Sequence, residues 1–141
     1  AARAAGRRPR TGDEAEAREA ADKAGSIISY GASKLALGRW IRKNSITSEW
    51  IGQGINLNAV APGMIETAMI AEGRADPILS KALDNFEIPA GRMGKAEEIA
   101  SLICYMLGTT GRFMVGSIVY IDGGTDAQYR TNDWPTPIHE M

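Results

Sequence analysis

Between Ala32 and about Ser48, the apolar residues Leu35, Leu37, Trp40 and Ile41 recur near the helical period, while Arg39, Arg42 and Lys43 fall on the other side. That spacing predicts one long amphipathic helix. Lys95 to Leu107 carries a second such pattern, with Ile99, Leu102, Ile103, Met106 and Leu107 as the stripe to be buried. Cys104 sits within that stripe and reads as an inert core thiol; Glu97 and Glu98 lie in the first turn, where they suit the helix dipole. Ile55 to Val60 and Gly116 to Ile121 read as buried strands by length and composition. Asn56 and Asn58 share one face of the first strand and need polar partners, so they mark either a site or a tie to the neighbouring turn. Strand, helix, strand in this order predicts a right-handed parallel βαβ unit.

The flanking segments are less regular. Thr11 to Glu14 starts a further helix that runs to Lys23, where Ala15, Ala17, Ala20 and Ala21 offer little to bury. Gly25 ends it, and Ser26 to Ser29 is expected to be a short extended link. Trp50 and Ile51 anchor the end of the long helix. Ala68 to Phe86 is mixed, with short helical pieces and an oily side formed by Met64, Met69, Ile70, Ile78, Leu79, Leu83 and Phe86. Three segments result: a charged arm over 1–24, the body over 25–130 and a tail over 131–141.

Composition narrows the function classes. With 141 residues, 44% of them hydrophobic and 23% charged, the chain can form one small globular domain. A net charge of −1 makes no case for nucleic acid or a membrane surface as partner. Arg7, Arg8 and Arg10 are followed closely by acids and read as a solvated face. Cys104 is the one cysteine, which excludes an internal disulfide and suits a reducing compartment. No apolar run is long enough to span a bilayer and no secretory segment opens the chain, so the expected location is cytoplasmic. No metal site is implied, and His139 in the Pro-rich tail is not expected to be catalytic.

The candidate chemistry lies in Ser29-Tyr30-Gly31-Ala32-Ser33-Lys34. Four residues apart on a helix, Tyr30 and Lys34 share one face. A phenol titrates near pKa ~10, and a nearby ammonium favours its anionic form, which opens proton transfer at neutral pH. The plainer reading is a tyrosine packed under a lysine stem. Further on, Pro62-Gly63 turns the chain at a strand's carboxyl end, where open parallel sheets bind ligands. Thr67, taken by itself, reads as the N-cap of a helix over Ala68 to Arg74.

Taken together, Tyr30 to Lys34, Gly54 to Gly63, Met64 to Thr67, Pro89 to Gly94 and Gly116 to Gly124 resemble the C-terminal half of the short-chain dehydrogenase/reductase family. The resemblance runs from about Gly25 to Arg130. It implies an α/β fold, the C-terminal part of a doubly wound, Rossmann-type parallel sheet: two parallel strands with long flanking helices. It implies NAD or NADP as cofactor and interconversion of a secondary alcohol and a ketone. Tyr30 would move the proton, and Lys34 would assist it and hold the nicotinamide ribose. Pro62, Gly63, the backbone of Ile65 and the hydroxyl of Thr67 would meet the nicotinamide and nearby phosphates. Met64, Met69 and Ile70 would belong to a lid over a small hydrophobic alcohol or ketone. The long helix would supply a subunit contact in a homodimer or homotetramer.

Two departures from the family pattern stand out. The serine that accompanies the tyrosine would fall at about Ala17, and Ser26 and Ser29 lie too near Tyr30 to replace it. Among bacterial 3α-hydroxysteroid dehydrogenases a helical insert separates serine from tyrosine, and the acid-rich stretch before Gly25 together with Asp122 to Ala127 resembles that branch. The serine is then expected upstream of Ala1. The glycine-rich turn that holds a pyrophosphate is also missing from the sequence. The chain is therefore expected to be a truncated dehydrogenase with weak cofactor binding and little turnover. The alternatives are a non-catalytic oligomerisation module of the same fold, and an enzyme completed by a separate chain.

Overall fold

The computed structural model describes residues 14–133, so Arg7, Arg8 and Arg10 and the tail carrying His139 lie outside the described residues. Helix α1 (Glu14–Ala24) is followed directly by α2 (Ser26–Asn44). Gly25 separates them at φ 81°, a backbone that favours glycine, while its amide still bonds the carbonyl of Ala21 at 3.1 Å. The extended link expected over Ser26 to Ser29 is instead the first turn of α2. The Ser29 hydroxyl donates to the carbonyls of Ala21 (2.9 Å) and Gly25 (2.8 Å), pinning that turn to the end of α1. With no strand beside it, an extended segment would leave its amides unpaired, whereas a helix satisfies them internally. The long helix stops at Asn44, short of Ser48, and its last turn is closed by Asn44 Nδ2 donating to the Trp40 carbonyl at 2.7 Å.

Two strands, β1 (Ala59–Pro62) and β2 (Ile118–Ile121), pair in parallel with Ala59 opposite Ile118 and Pro62 opposite Ile121. Both start later than the hydrophobic pattern predicts. The reason lies in the two asparagines. Asn56 donates to the Arg112 carbonyl and Asn58 to the Met114 carbonyl, each at 2.7 Å, and Asn58 Oδ1 accepts the Ser117 amide at 2.9 Å. They tie the approach to β1 to the turn before β2 and do not line a site. Between the strands run α3 (Ala68–Gly73), α4 (Pro77–Asp84) and α5 (Ala96–Leu107); α6 (Thr125–Tyr129) follows β2.

The tightest packing is where α2 meets the start of β2. Ile41 is 6% exposed and Ser45 is fully buried. Gly116, at φ 69°, lies so close that a Cβ there would stand 2.5 Å from Ser45 Oγ. Higher on α2, a Cβ on Gly38 would stand 3.1 Å from Ile118 Cδ1. The rest of the predicted α2 stripe is not buried: Leu35, Leu37 and Trp40 are exposed, Trp40 meeting Trp50 edge-on at 5.9 Å. On α5, Ile99, Leu102 and Met106 are half-buried, but Ile103, Leu107 and Cys104 are exposed, so Cys104 is not a core thiol. A two-stranded sheet is too narrow to cover both helices, which accounts for these corrections. No helix among the described residues is long and apolar enough to cross a membrane.

Replacing Gly116 by Ala forces a side chain onto Ser45 in a left-handed backbone, and the expected cost is about 1–3 kcal/mol of unfolding free energy. Gly38→Ala meets only the tip of a flexible side chain and should cost less. Urea unfolding of both variants measures the difference.

Candidate active site

The carboxyl ends of both strands deliver their loops to one place. The Gly63 amide bonds the Ile121 carbonyl at 3.1 Å, and a Cβ on Gly63 would lie 2.6 Å from Asp122 Cα, so only glycine fits this crossing. Asp122 is held in turn: its carboxylate accepts the amides of Gly124 at 2.9 Å and Asp126 at 2.6 Å, closing the start of α6. From the other side, the Ala90 amide bonds the Gly123 carbonyl at 2.9 Å.

Ile65 forms a one-residue parallel bridge to Gly94. The Gly94 amide donates to the Met64 carbonyl and the Glu66 amide to the Gly94 carbonyl, both at 2.9 Å. These two bonds bracket Ile65, whose own amide and carbonyl therefore face the opposite edge. A planar carboxamide needs a donor and an acceptor side by side, and this edge offers both.

Beside it lies a cleft of about 100 Å³ lined by Met64, Ile65, Gly94, Ile99, Asp122 and Gly123, with Arg92 and Glu98 on its rim. Arg92 grips Glu98 through two bonds of 2.7 and 2.9 Å, and Glu98 also accepts the Lys95 amide at 2.8 Å at the start of α5. The Arg92 guanidinium, with help from the Lys95 amide, holds the Glu98 carboxyl down from 4.5 to about 2. A second cleft of about 320 Å³ presents Met64, Leu83, Phe86, Ile88 and Met93, with Arg74 paired to Asp84 at 3.1 Å on its wall.

The structure gathers some of the expected site residues and separates others. Met64 and Ile65 line the first cleft and Gly63 lies against its Asp122 wall; Pro62 ends β1 just before them. Thr67 caps α3, its hydroxyl oxygen accepting the Ile70 amide at 3.4 Å, which leaves the hydroxyl proton for a ligand. Of the lid candidates, Met64 lines both clefts, whereas Met69, 77% exposed, and Ile70 line neither. Tyr30 and Lys34 stand apart on α2, outside both clefts. Lys34 Nζ lies 5.2 Å from the centroid of the Tyr30 ring, and Tyr30 is 67% exposed. Ala17, on α1, is exposed. Sequence reasoning missed Arg92 and Asp122 as organisers. Glu98 at the third position of its helix was a capping signal, but nothing local announced its arginine partner.

Comparison with known proteins sets this geometry in context. Residues 15–126 match a family model described as enoyl-(acyl carrier protein) reductase. A 3-alpha-hydroxysteroid dehydrogenase/carbonyl reductase of Comamonas testosteroni is 35% identical over 122 residues, 84% of this chain and 47% of that protein. The crystal structure of the 3-alpha-hydroxysteroid dehydrogenase from Pseudomonas sp. B-0831 complexed with NADH superposes with a TM-score of 0.76 at 37% identity, covering 85% of this chain and 47% of that one. A Pseudomonas aeruginosa RhlG/NADP active-site complex gives a TM-score of 0.59 at 38% identity, over 72% of this chain and 40% of that one. The chain spans about half the length of these relatives, or less.

Glu98 generates a pH prediction. A carboxyl whose folded value is depressed contributes stability that is fully present above its unfolded value of 4.5 and is lost as pH falls toward 2. Acid titration of the wild-type protein should therefore show stability falling across that window, and Glu98→Gln should flatten part of the fall. Because the pair is exposed, added salt should shrink the difference between the two proteins. Circular dichroism against pH at two ionic strengths checks both outcomes.

Proposed function

This chain belongs to the short-chain dehydrogenase/reductase family, and on that premise we propose that it carries the proton-transfer and nicotinamide-facing part of an NAD(P)-dependent oxidoreductase acting on a hydrophobic secondary alcohol or ketone. The observation that carries the reading is the Tyr30–Lys34 pair, with the ammonium over the ring of an exposed phenol. When bound, the dinucleotide supplies the hydride acceptor or donor. The Tyr30 hydroxyl takes the proton of a carbinol in oxidation or gives one to a carbonyl oxygen in reduction. The Lys34 ammonium, 5.2 Å from the centroid of that ring, would assist the proton transfer and would hold the ribose hydroxyls of the nicotinamide. The edge of Ile65 would hold the carboxamide, the Thr67 hydroxyl would meet a phosphate, and Pro62-Gly63 would keep the backbone close to the ligand. A hydroxysteroid is the substrate class that the named relatives suggest, and Met64, Leu83, Phe86 and Ile88 in the larger cleft offer it apolar contacts.

A second reading has its own support. Leu35, Leu37, Trp40 and a fully exposed Phe113 present apolar surface, as an oligomerising module of the same fold would. The same surface suits a homodimer or homotetramer of the enzyme, so exposure alone does not separate the two.

Turnover separates them. With NAD or NADP at millimolar concentration and a hydroxysteroid as substrate, Tyr30→Phe should lower kcat by about 10²–10⁴-fold, the span of general acid–base catalysis. Lys34→Met should lower kcat and weaken dinucleotide binding together. Equal rates in wild type and Tyr30→Phe would sink the enzymatic reading and leave the oligomerising module.

A further inference from the structure

We propose that Arg92 is a positioning residue: by gripping Glu98 it holds Gly94 in register against Met64 and Glu66, and so fixes the edge of Ile65 on which a nicotinamide carboxamide docks. The inference rests on the oxidoreductase reading for its ligand, but its geometry stands on its own.

Gly94 makes both hydrogen bonds of the bridge to the segment after β1. Neither neighbour of Gly94 is left loose. Arg92 Nη1 donates to the Met93 carbonyl at 3.0 Å as well as to Glu98, and Glu98 receives the Lys95 amide. One ionic cluster therefore grips the chain on both sides of the bridging residue. Contact with Ile65 is equally close: a Cβ on Gly94 would lie 2.7 Å from Ile65 Cδ1, so the side chain of Ile65 covers the glycine and its backbone edge is turned outward. Arg92 and Met64 line both clefts, which places the cluster in the wall between the strand ends and the larger cleft.

An exposed ion pair adds only modestly to global stability, so stability alone does not account for this two-bond arrangement. What the planar guanidinium adds is two parallel bonds and hence a fixed direction, which a lysine cannot reproduce. Glu66, on the bridge segment, adds a smaller favourable charge beside that of Glu98.

The test follows amide hydrogen exchange and NADH titration in wild type, Arg92→Met and Arg92→Lys. Arg92→Met should speed exchange at Gly94 and Glu66 by about tenfold or more, as local opening of one bridge would. The amides of Ala59 and Gly63, bonded to Ser117 and Ile121 in the sheet, should change far less. Arg92→Lys should restore protection only in part, and KM for dinucleotide should rise by a larger factor than kcat falls. Unchanged exchange at Gly94 and Glu66, equal acceleration at all four amides, or full protection in Arg92→Lys would each overturn the proposal. If exchange responds as stated but the wild-type chain binds no NADH, the oxidoreductase reading fails while the positioning stands. If NADH binds and exchange ignores Arg92, the positioning fails and that reading stands.

Discussion

A parallel pair of strands has no hairpin to set its register, so something else must decide which residue faces which. Here that constraint falls on the Asn58 carboxamide. It donates to Met114 and accepts from Ser117, which locks the entry to β1 against the turn leading into β2. Ala59 then has to lie opposite Ile118, and Pro62 opposite Ile121. A slip by one residue would turn every side chain to the other face and leave those amide bonds unmade. With register fixed, both strands end level, and Gly63 comes to rest on Asp122.

From that crossing the rest of the pocket follows by contact. The chain after β1 borrows a partner from the loop before α5, through Gly94, and the chain after β2 borrows one through Ala90. Both partners belong to the single stretch Pro89 to Gly94, so one loop buttresses both strand ends. Its own rigidity comes from Arg92, Glu98 and the start of α5. Hydrogen bonds and a close glycine crossing hold this corner, with little buried apolar surface behind it. Ligand sites are commonly built this way, from backbone edges that a scaffold presents.

The Tyr30–Lys34 pair has a different foundation. Tyr30 and Lys34 need only one turn of helix to meet, and α2 supplies it without help from the sheet. What anchors α2 is its far end, where Ile41 and Ser45 pack on Gly116. Helix α2, which carries that pair, and the loop of Ile65 are therefore joined through β2: α2 packs at the strand's start, and Gly63 meets Asp122 just past its end. Exposed Leu35, Leu37 and Trp40 mark the α2 surface that this two-stranded sheet does not cover.

Sequence alone determined what depends on near neighbours and fixed spacing. The helical stripes of α2 and α5, the Tyr30–Lys34 face, the Pro62-Gly63 turn and the capping role of Thr67 all rest on contacts within a few residues, which periodicity records directly. Tertiary structure decided what depends on residues distant along the chain. Asn56 and Asn58 turned out to be ties because their partners, Arg112 and Met114, lie far along the chain. Ser26 to Ser29 became helix because no strand among the described residues was there to pair with them. Burial of Ile103, Leu107 and Cys104 failed for a related reason: a stripe shows which face prefers cover, but only the neighbouring layer decides whether cover is present. The roles of Asp122 and Arg92 were not legible from their motifs because they rest on the backbone turns that aim the Gly124 and Asp126 amides, and the Glu98 carboxylate, at them.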